Sequence, residues 1–285
     1  MRAIRKNFAW IMFIMLFAVG CSSIEKAESL YRQGEKQEAL EMAISLLDDD
    51  SPKVRLRAVK LVGSIGGPQA GPALHERIVE TDARVLREVV RNLGKVKYKP
   101  AIEDLADMST SANSDMLRAL ADAFREYGKS AIDLIVSRYD SSNQSGIRAA
   151  YKELLIAIGP EIADSIGKLL KGRSFFENRD TFEILRQIKN PRVATLMIPY
   201  LSDEEVAEQV VEAIRNLGSN AIESTITALQ KQKKSGDLLV TERLIRILGL
   251  LKAKQGIEML ESYSQHDSER IRNAVEQSLY QIRGF

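Results

Sequence analysis

The sequence predicts an all-α protein, a right-handed superhelix of antiparallel helix pairs. Three observations predict it. One slot, mostly glycine, recurs at Gly63, Gly94, Gly128, Gly159, Lys189, Gly218, Gly249 and Tyr280, at intervals of 31, 34, 31, 30, 29, 31 and 31 residues. Apolar or amphipathic residues stand one and five positions before every slot. A second amphipathic stretch follows most slots, and no alternation of strand type competes with either.

The first helix of each pair is read from the residues before the slot. Val62, Leu93, Tyr127, Ile158, Ile188, Leu217, Leu248 and Leu279 immediately precede it, with Ala58, Val89, Ala123, Leu154, Ile184, Ala213, Leu244 and Val275 four residues earlier. That spacing puts both columns on one helix face. Glycine at the slot fits a helix C-terminus, where a left-handed residue ends the hydrogen-bond ladder, so Lys189 and Tyr280 predict helices that end differently. The second helix starts near Ile102, Ile132, Ile222 and Ile257, whose apolar partners are Leu105, Ile135, Ile226 and Leu260. Ser202-Asp203 and His266-Asp267-Ser268 supply candidate N-caps between units.

Such pairs, with Val54-Arg55, Ile147-Arg148 and Ile271-Arg272 near first-helix starts, resemble HEAT-like repeats of the short phycobilisome-lyase variety over residues 51–285. A unit of this kind buries its apolar face only by stacking on neighbours. The resemblance implies an armadillo/HEAT-type solenoid whose concave side is lined by the second helices. Residues 21–50 are expected to cap it with a helical hairpin. There Ala27, Leu30, Tyr31, Gly34, Glu38, Ala39 and Leu40 resemble part of a tetratricopeptide unit.

Residues 1–20 read as a signal peptide. Arg2, Arg5 and Lys6 precede an unbroken apolar run of twelve residues, Phe8 to Val19, too short to span a membrane comfortably. Leu16-Phe17-Ala18-Val19-Gly20-Cys21 closes it and resembles the lipobox of bacterial lipoproteins. The resemblance implies cleavage between Gly20 and Cys21 and acylation of Cys21, the one cysteine in the chain. Two or three acyl chains anchor far more firmly than one. Ser22 after the cysteine, by analogy with the sorting rule of enteric bacteria, points to the outer membrane of a Gram-negative cell.

Composition excludes several functions. Without Arg2, Arg5 and Lys6 the chain keeps 38 cations against 39 acids, too neutral to attract nucleic acid in general. One cysteine and two histidines give little to build a metal site from. His75-Glu76 resembles one His-Glu pair of the HEAT-like di-iron deoxyhypusine hydroxylases, but that family needs several, and His266 lies about six repeats away. Ala123 to Ser130 meets a relaxed phosphate-loop pattern only formally, because Phe124, Arg125, Glu126 and Tyr127 belong to an amphipathic helix pattern. Gly63-Ser64-Ile65-Gly66 is no nucleophile elbow, and Asp48-Asp49-Asp50 and Asp203-Glu204-Glu205 sit at turns or helix starts. The short basic runs Lys95 to Lys99 and Lys231 to Lys234 read as solvated turns.

No catalytic residue, cofactor, metal ligand or small-molecule substrate is therefore expected. The reading is a membrane-anchored scaffold or adaptor at the bacterial cell envelope that binds an unidentified protein in its concave groove. The alternatives are an enzyme or enzyme accessory resembling the phycobilin lyases or the hydroxylase, and a purely structural envelope component. Phe175 and Phe176, in a polar stretch between repeats, are the candidate partner contacts.

Overall fold

The computed structural model of the chain describes residues 23–170, 175–188 and 190–284, with the side chains of residues 175–178, 234 and 235 outside the description. The signal segment, Gly20, Cys21 and Lys189 lie outside the described residues. Among the described residues every regular element is helical.

The chain forms two compact units, meeting in sequence at Ile158 and Gly159. The first contains α1 (23–33), α2 (Lys36–Ser45), α3 (Pro52–Ile65), α4 (Ala70–His75), α5 (Ala83–Lys95), α6 (Ile102–Met108), α7 (Ser114–Tyr127), α8 (Lys129–Ser141) and α9 (Ser145–Ile158). The second contains α10 (Ala163–Ile166), α11 (Phe175–Gln187), α12 (Pro191–Met197), α13 (Ala207–Asn216), α14 (Ile222–Ser235), α15 (Leu238–Leu250), α16 (Ile257–Glu261) and α17 (Glu269–Arg283). Several second helices are extended by tighter turns, as at Glu76–Val79, Ser109–Ser111 and Ile198–Ser202.

Stacking runs along the first helices: α3 on α5, α5 on α7 and α7 on α9 in one unit, and α11 on α13, α13 on α15 and α15 on α17 in the other. The two apolar columns before the slots supply this interface. Ala58, Val62, Val89, Leu93, Ala123, Leu154 and Ile158 are fully buried, as are Ile184, Leu244 and Leu248. Tyr127 is the half-buried exception, with Phe124 taking the deep position on its helix. At the N-terminal end, α2 buries Ala39, Leu40 and Ala43 and packs on α3.

The slot proves to be two different structural positions, which corrects the expectation of a uniform C-terminal glycine. At Gly128, Gly159 and Gly218 the backbone does turn to positive φ, +83°, +83° and +60°. Gly63, Gly94 and Gly249 are instead buried inside their helices. Those helices run on, and the positive-φ residue falls three positions later, at Gly66, Lys97 and Lys252. What demands glycine within these helices is the neighbouring helix. A Cβ on Gly94 would meet the Ala123 Cα at 2.5 Å, and one on Gly249 the Ser278 Cα at 2.8 Å.

Three of the four second helices are rotated by one residue from the expected face, while α8 buries Ile132 and Ile135 as expected. Ala101, Ala221 and Gly256 are buried, whereas Ile102, Ile222, Ile226 and Ile257 are only half-buried. A small residue there lets the helix approach the core closely, and Leu105, Thr225 and Leu260 continue the buried stripe. Capping also differs in part. Asp82, Asn113, Asn190 and Asp237 accept hydrogen bonds from backbone N–H groups of the first turn of α5, α7, α12 and α15. Ser268 precedes α17 without a side-chain cap, and Asp203 accepts from the Glu205 N–H ahead of α13.

Side chains also tie repeats across their boundaries. Arg57 forks onto Glu28, 29 residues away, and Arg91 reaches Asp122, 31 away. Arg138 bonds Asp107 and Glu103, and Arg192 bonds Asp164. Arg125 donates to the carbonyls of Ile158 and Ala157 at the end of α9, where the helix leaves carbonyls without intrahelical partners. Arg55 and Arg272 share another device: each donates to the backbone carbonyls five and six residues before it.

Candidate protein-binding grooves

The residues that carried hints of chemistry are engaged in ordinary structure. The His75 Nε2 lies 2.7 Å from the Asp104 Oδ2, and its ring packs on Tyr98 with centroids 5.6 Å apart. The His266 Nδ1 accepts the Ser268 N–H at 3.1 Å, and the ring stacks on Tyr263 at 6.0 Å. Lys129 opens α8 and pairs with Asp133, so the phosphate-loop pattern is a helix, a glycine and a second helix. Asp48 pairs with Arg77, and Asp49 accepts the Ser51 N–H. Among the described residues there is no group of three or more His, Cys, Asp or Glu placed to hold a metal ion. No described helix is long and apolar enough to cross a membrane.

Cys21 and Gly20 lie outside the described residues. Phe175 and Phe176 form the first turn of α11, and their side chains lie outside the description as well.

Among the described residues the second unit has two grooves with a largely apolar lining, besides a smaller one of about 420 Å³ between α15 and α17. One, of about 700 Å³, runs between α12 with its following turn and α14. Ile198, Pro199, Ala228 and Val240 give it an apolar lining, and Thr195, Ser202, Ser224 and Thr227 surround them with hydroxyls. The Thr195 and Ser224 hydroxyls bridge the two helices at 3.1 Å. Of its ionisable residues, Glu223 and Lys231 stand two turns apart on α14, and Asp237 is used as the cap of α15. Among the described residues, the Thr195, Ser202 and Ser224 hydroxyls bond one another or backbone carbonyls. The surface offers apolar contact and hydrogen bonds, which is what a peptide segment needs.

The other, of about 570 Å³, lies between the first helices α11 and α13. Phe182, Met197, Val210 and Ala213 form its floor, and the Phe182 ring is held edge-on by Tyr200 at 4.8 Å. Glu208 on its far wall accepts both guanidinium nitrogens of Arg246, at 2.8 and 2.7 Å, which holds its carboxyl below the ordinary range. Sequence reasoning expected a groove on the second helices but named no residue of either groove. Each is a gap between helices of successive repeats, and residues 29–34 positions apart build it. The available signal was the column of side chains at fixed offsets from the slot.

A family comparison agrees with the architecture over part of the first unit. Residues 27–88 and 40–125 match the profile of HEAT repeats. No match was found among curated proteins. Among solved structures, human deoxyhypusine hydroxylase is 17% identical, with 90% of this chain and 100% of that one covered at a TM-score of 0.36. An engineered protein is 18% identical, covering 94% of this chain and 83% of its own at 0.33. Another is 16% identical, covering 86% and 96% at 0.26. The fold class is the all-α, HEAT-type stack of helix pairs.

Proposed function

We propose that the chain is a protein-binding adaptor, held at a bacterial envelope membrane by lipid on Cys21, whose second helices receive a segment of a partner protein. The observation that carries this reading is the groove between α12 and α14, with its apolar lining and hydroxyl rim. Stacked helix pairs suit the role, because each added unit lengthens a continuous surface. The signal-like segment and its cysteine give the anchor.

Two measurements test it. Cys21→Ser is expected to move the protein from the membrane fraction to the soluble one with unchanged helicity; a variant that still sediments with membranes removes the anchor from the proposal. A photo-crosslinking residue at Thr227 is expected to give a saturable adduct with one envelope protein. No saturable adduct would favour a purely structural role. A stoichiometric metal or bound pigment in the purified chain would favour the enzyme reading instead.

A further inference from the structure

The first-helix groove carries a second assignment, independent of the α12–α14 groove. Cations recur three residues before the slot, at Lys60, Arg91, Arg125, Arg186, Arg215 and Arg246. Arg91 and Arg125 bond Asp122, Arg215 bonds Glu212, and Arg246 bonds Glu208. Arg186 alone of the arginines in this column makes no ion pair among the described residues. Arg179, one position of the same α11 face two turns earlier, makes none either among the described residues. Both are exposed, and both line the groove over Phe182, Met197, Val210 and Ala213.

The carboxylates that could answer these two arginines are taken. Glu208 and Glu212 on α13 are held by Arg246 and Arg215, and Asp180 and Glu183 on α11 have partners of their own. The groove thus joins an apolar floor to two guanidinium groups that make no ion pair among the described residues, seven residues apart, about 10 Å along a helix axis. We propose that it binds an acidic amphipathic helix. Carboxylates at i and i+7 of that helix would meet Arg179 and Arg186, and apolar residues at i+3 and i+4 would face the floor, all on one stripe. Guanidinium groups receive carboxylates with two parallel hydrogen bonds, which gives such a contact direction as well as charge.

The probe is an alanine-based peptide of about 15 residues with Glu at i and i+7 and Leu at i+3 and i+4, titrated against the full chain by fluorescence anisotropy. Saturable binding is expected. Arg179→Glu or Arg186→Glu should raise its Kd about tenfold or more, and added salt should weaken it. Circular dichroism checks that these surface variants keep their helicity. Absence of binding, equal binding of the Lys-for-Glu peptide, equal binding of an oligothymidylate, or an unchanged Kd in the double variant would each overturn the assignment. Photo-crosslinkers at Gln209 and Thr227 separate this idea from the adaptor reading. An adduct of Gln209 with the Glu/Leu peptide that the Lys-for-Glu peptide does not give supports the first-helix groove. Adducts from Thr227 alone remove it and leave the adaptor standing. Adducts from neither remove both.

Discussion

Gly94 lies against Ala123 of the next first helix so closely that a Cβ on Gly94 would stand 2.5 Å from the Ala123 Cα. No side-chain rotation relieves a contact with backbone. Gly94→Ala is therefore expected to push α5 from α7 and to cost about 3 kcal/mol, the upper part of the overpacking range. Gly128 is different: it sits at φ +83° and a Cβ there would meet nothing within 4 Å, so Gly128→Ala meets only backbone strain, about 1–2 kcal/mol. Chemical denaturation of both variants checks the ranking. Equal losses would mean that the two glycines do the same work.

Lys97 and Lys252 occupy left-handed backbone at φ 53° and 49°. Each closes its helix in the same way. The Lys97 N–H donates to the Gly94 carbonyl and the Tyr98 N–H to that of Leu93; Lys252 and Ala253 repeat the pattern on Gly249 and Leu248. Gly66, at the same offset after α3, closes its helix differently, at ψ −150° with its N–H donating to the Val62 carbonyl. A Cβ disfavours the conformation of the two lysines, so Lys97→Gly and Lys252→Gly are each expected to raise stability by about 0.5–1 kcal/mol. Lys95→Gly, inside the last turn of α5, should lower it by a similar amount. Thermal unfolding of the three variants decides this.

The stacking and its core were readable because burial repeats with the chain. Val62, Leu93 and Leu248 recur at one offset from the slot, and all three are fully buried. The dual nature of the slot was not read, although a signal existed. Ile102 and Ile257 follow Gly94 and Gly249 by eight residues, whereas Ile132 and Ile222 follow Gly128 and Gly218 by four. The longer interval accommodates extra helical residues before the turn, which places the glycine in the helix interface. Ala101 and Ala221 hid the true buried face because a small residue carries little hydrophobic signal beside an isoleucine. Arg179 and Arg186 could not be singled out at all, since their distinction is the absence of an ion-pair partner among the described residues, and pairing is set by packing between repeats.

Glu80 is held by Arg55 through two hydrogen bonds, 2.8 and 2.9 Å long, and its side chain is 5% exposed. The Arg55 bonds, ahead of the opposing effect of burial, set its pKa below the ordinary carboxylate value. Glu28 and Glu208 are lowered in the same direction by Arg57 and Arg246. A depressed folded-state pKa gives stability that is complete above the unfolded value, about 4.3, and lost as pH falls through the folded one. Stability is thus expected to be insensitive to these groups near neutrality and to drop below about pH 4.3. Glu80→Gln should cost about 1.5–3 kcal/mol at pH 7 and make the acid limb shallower. Urea titrations of both proteins at pH 7 and below pH 4 measure it.

Three tyrosines reach back one repeat to a backbone carbonyl. The Tyr127 hydroxyl donates to the Tyr98 carbonyl at 3.0 Å, Tyr263 to that of Leu229 at 3.0 Å, and Tyr200 to that of Leu170. Tyr31 reaches forward instead, donating to the Ser64 carbonyl in a longer, exposed bond of 3.5 Å. Burial raises the pKa of Tyr127, Tyr200 and Tyr263 above that of a free phenol. A raised folded-state pKa means that the stability is fully present below the unfolded value, about 10, and is lost as pH climbs through the folded one. Tyr263→Phe and Tyr127→Phe are each expected to cost about 1 kcal/mol at pH 7, because a hydrogen bond between repeats is lost while the ring stays packed. Tyr31→Phe should fall within about 0.5 kcal/mol of the parent. The first two variants should also narrow the gap to the parent above pH 10, where the parent's own phenols begin to ionise in the unfolded chain. Denaturation at pH 7 and above pH 10, with phenolate absorbance followed in parallel, tests both parts; costs at Tyr127 and Tyr263 no larger than that at Tyr31 would show that the buried hydroxyls add nothing to holding the repeats together.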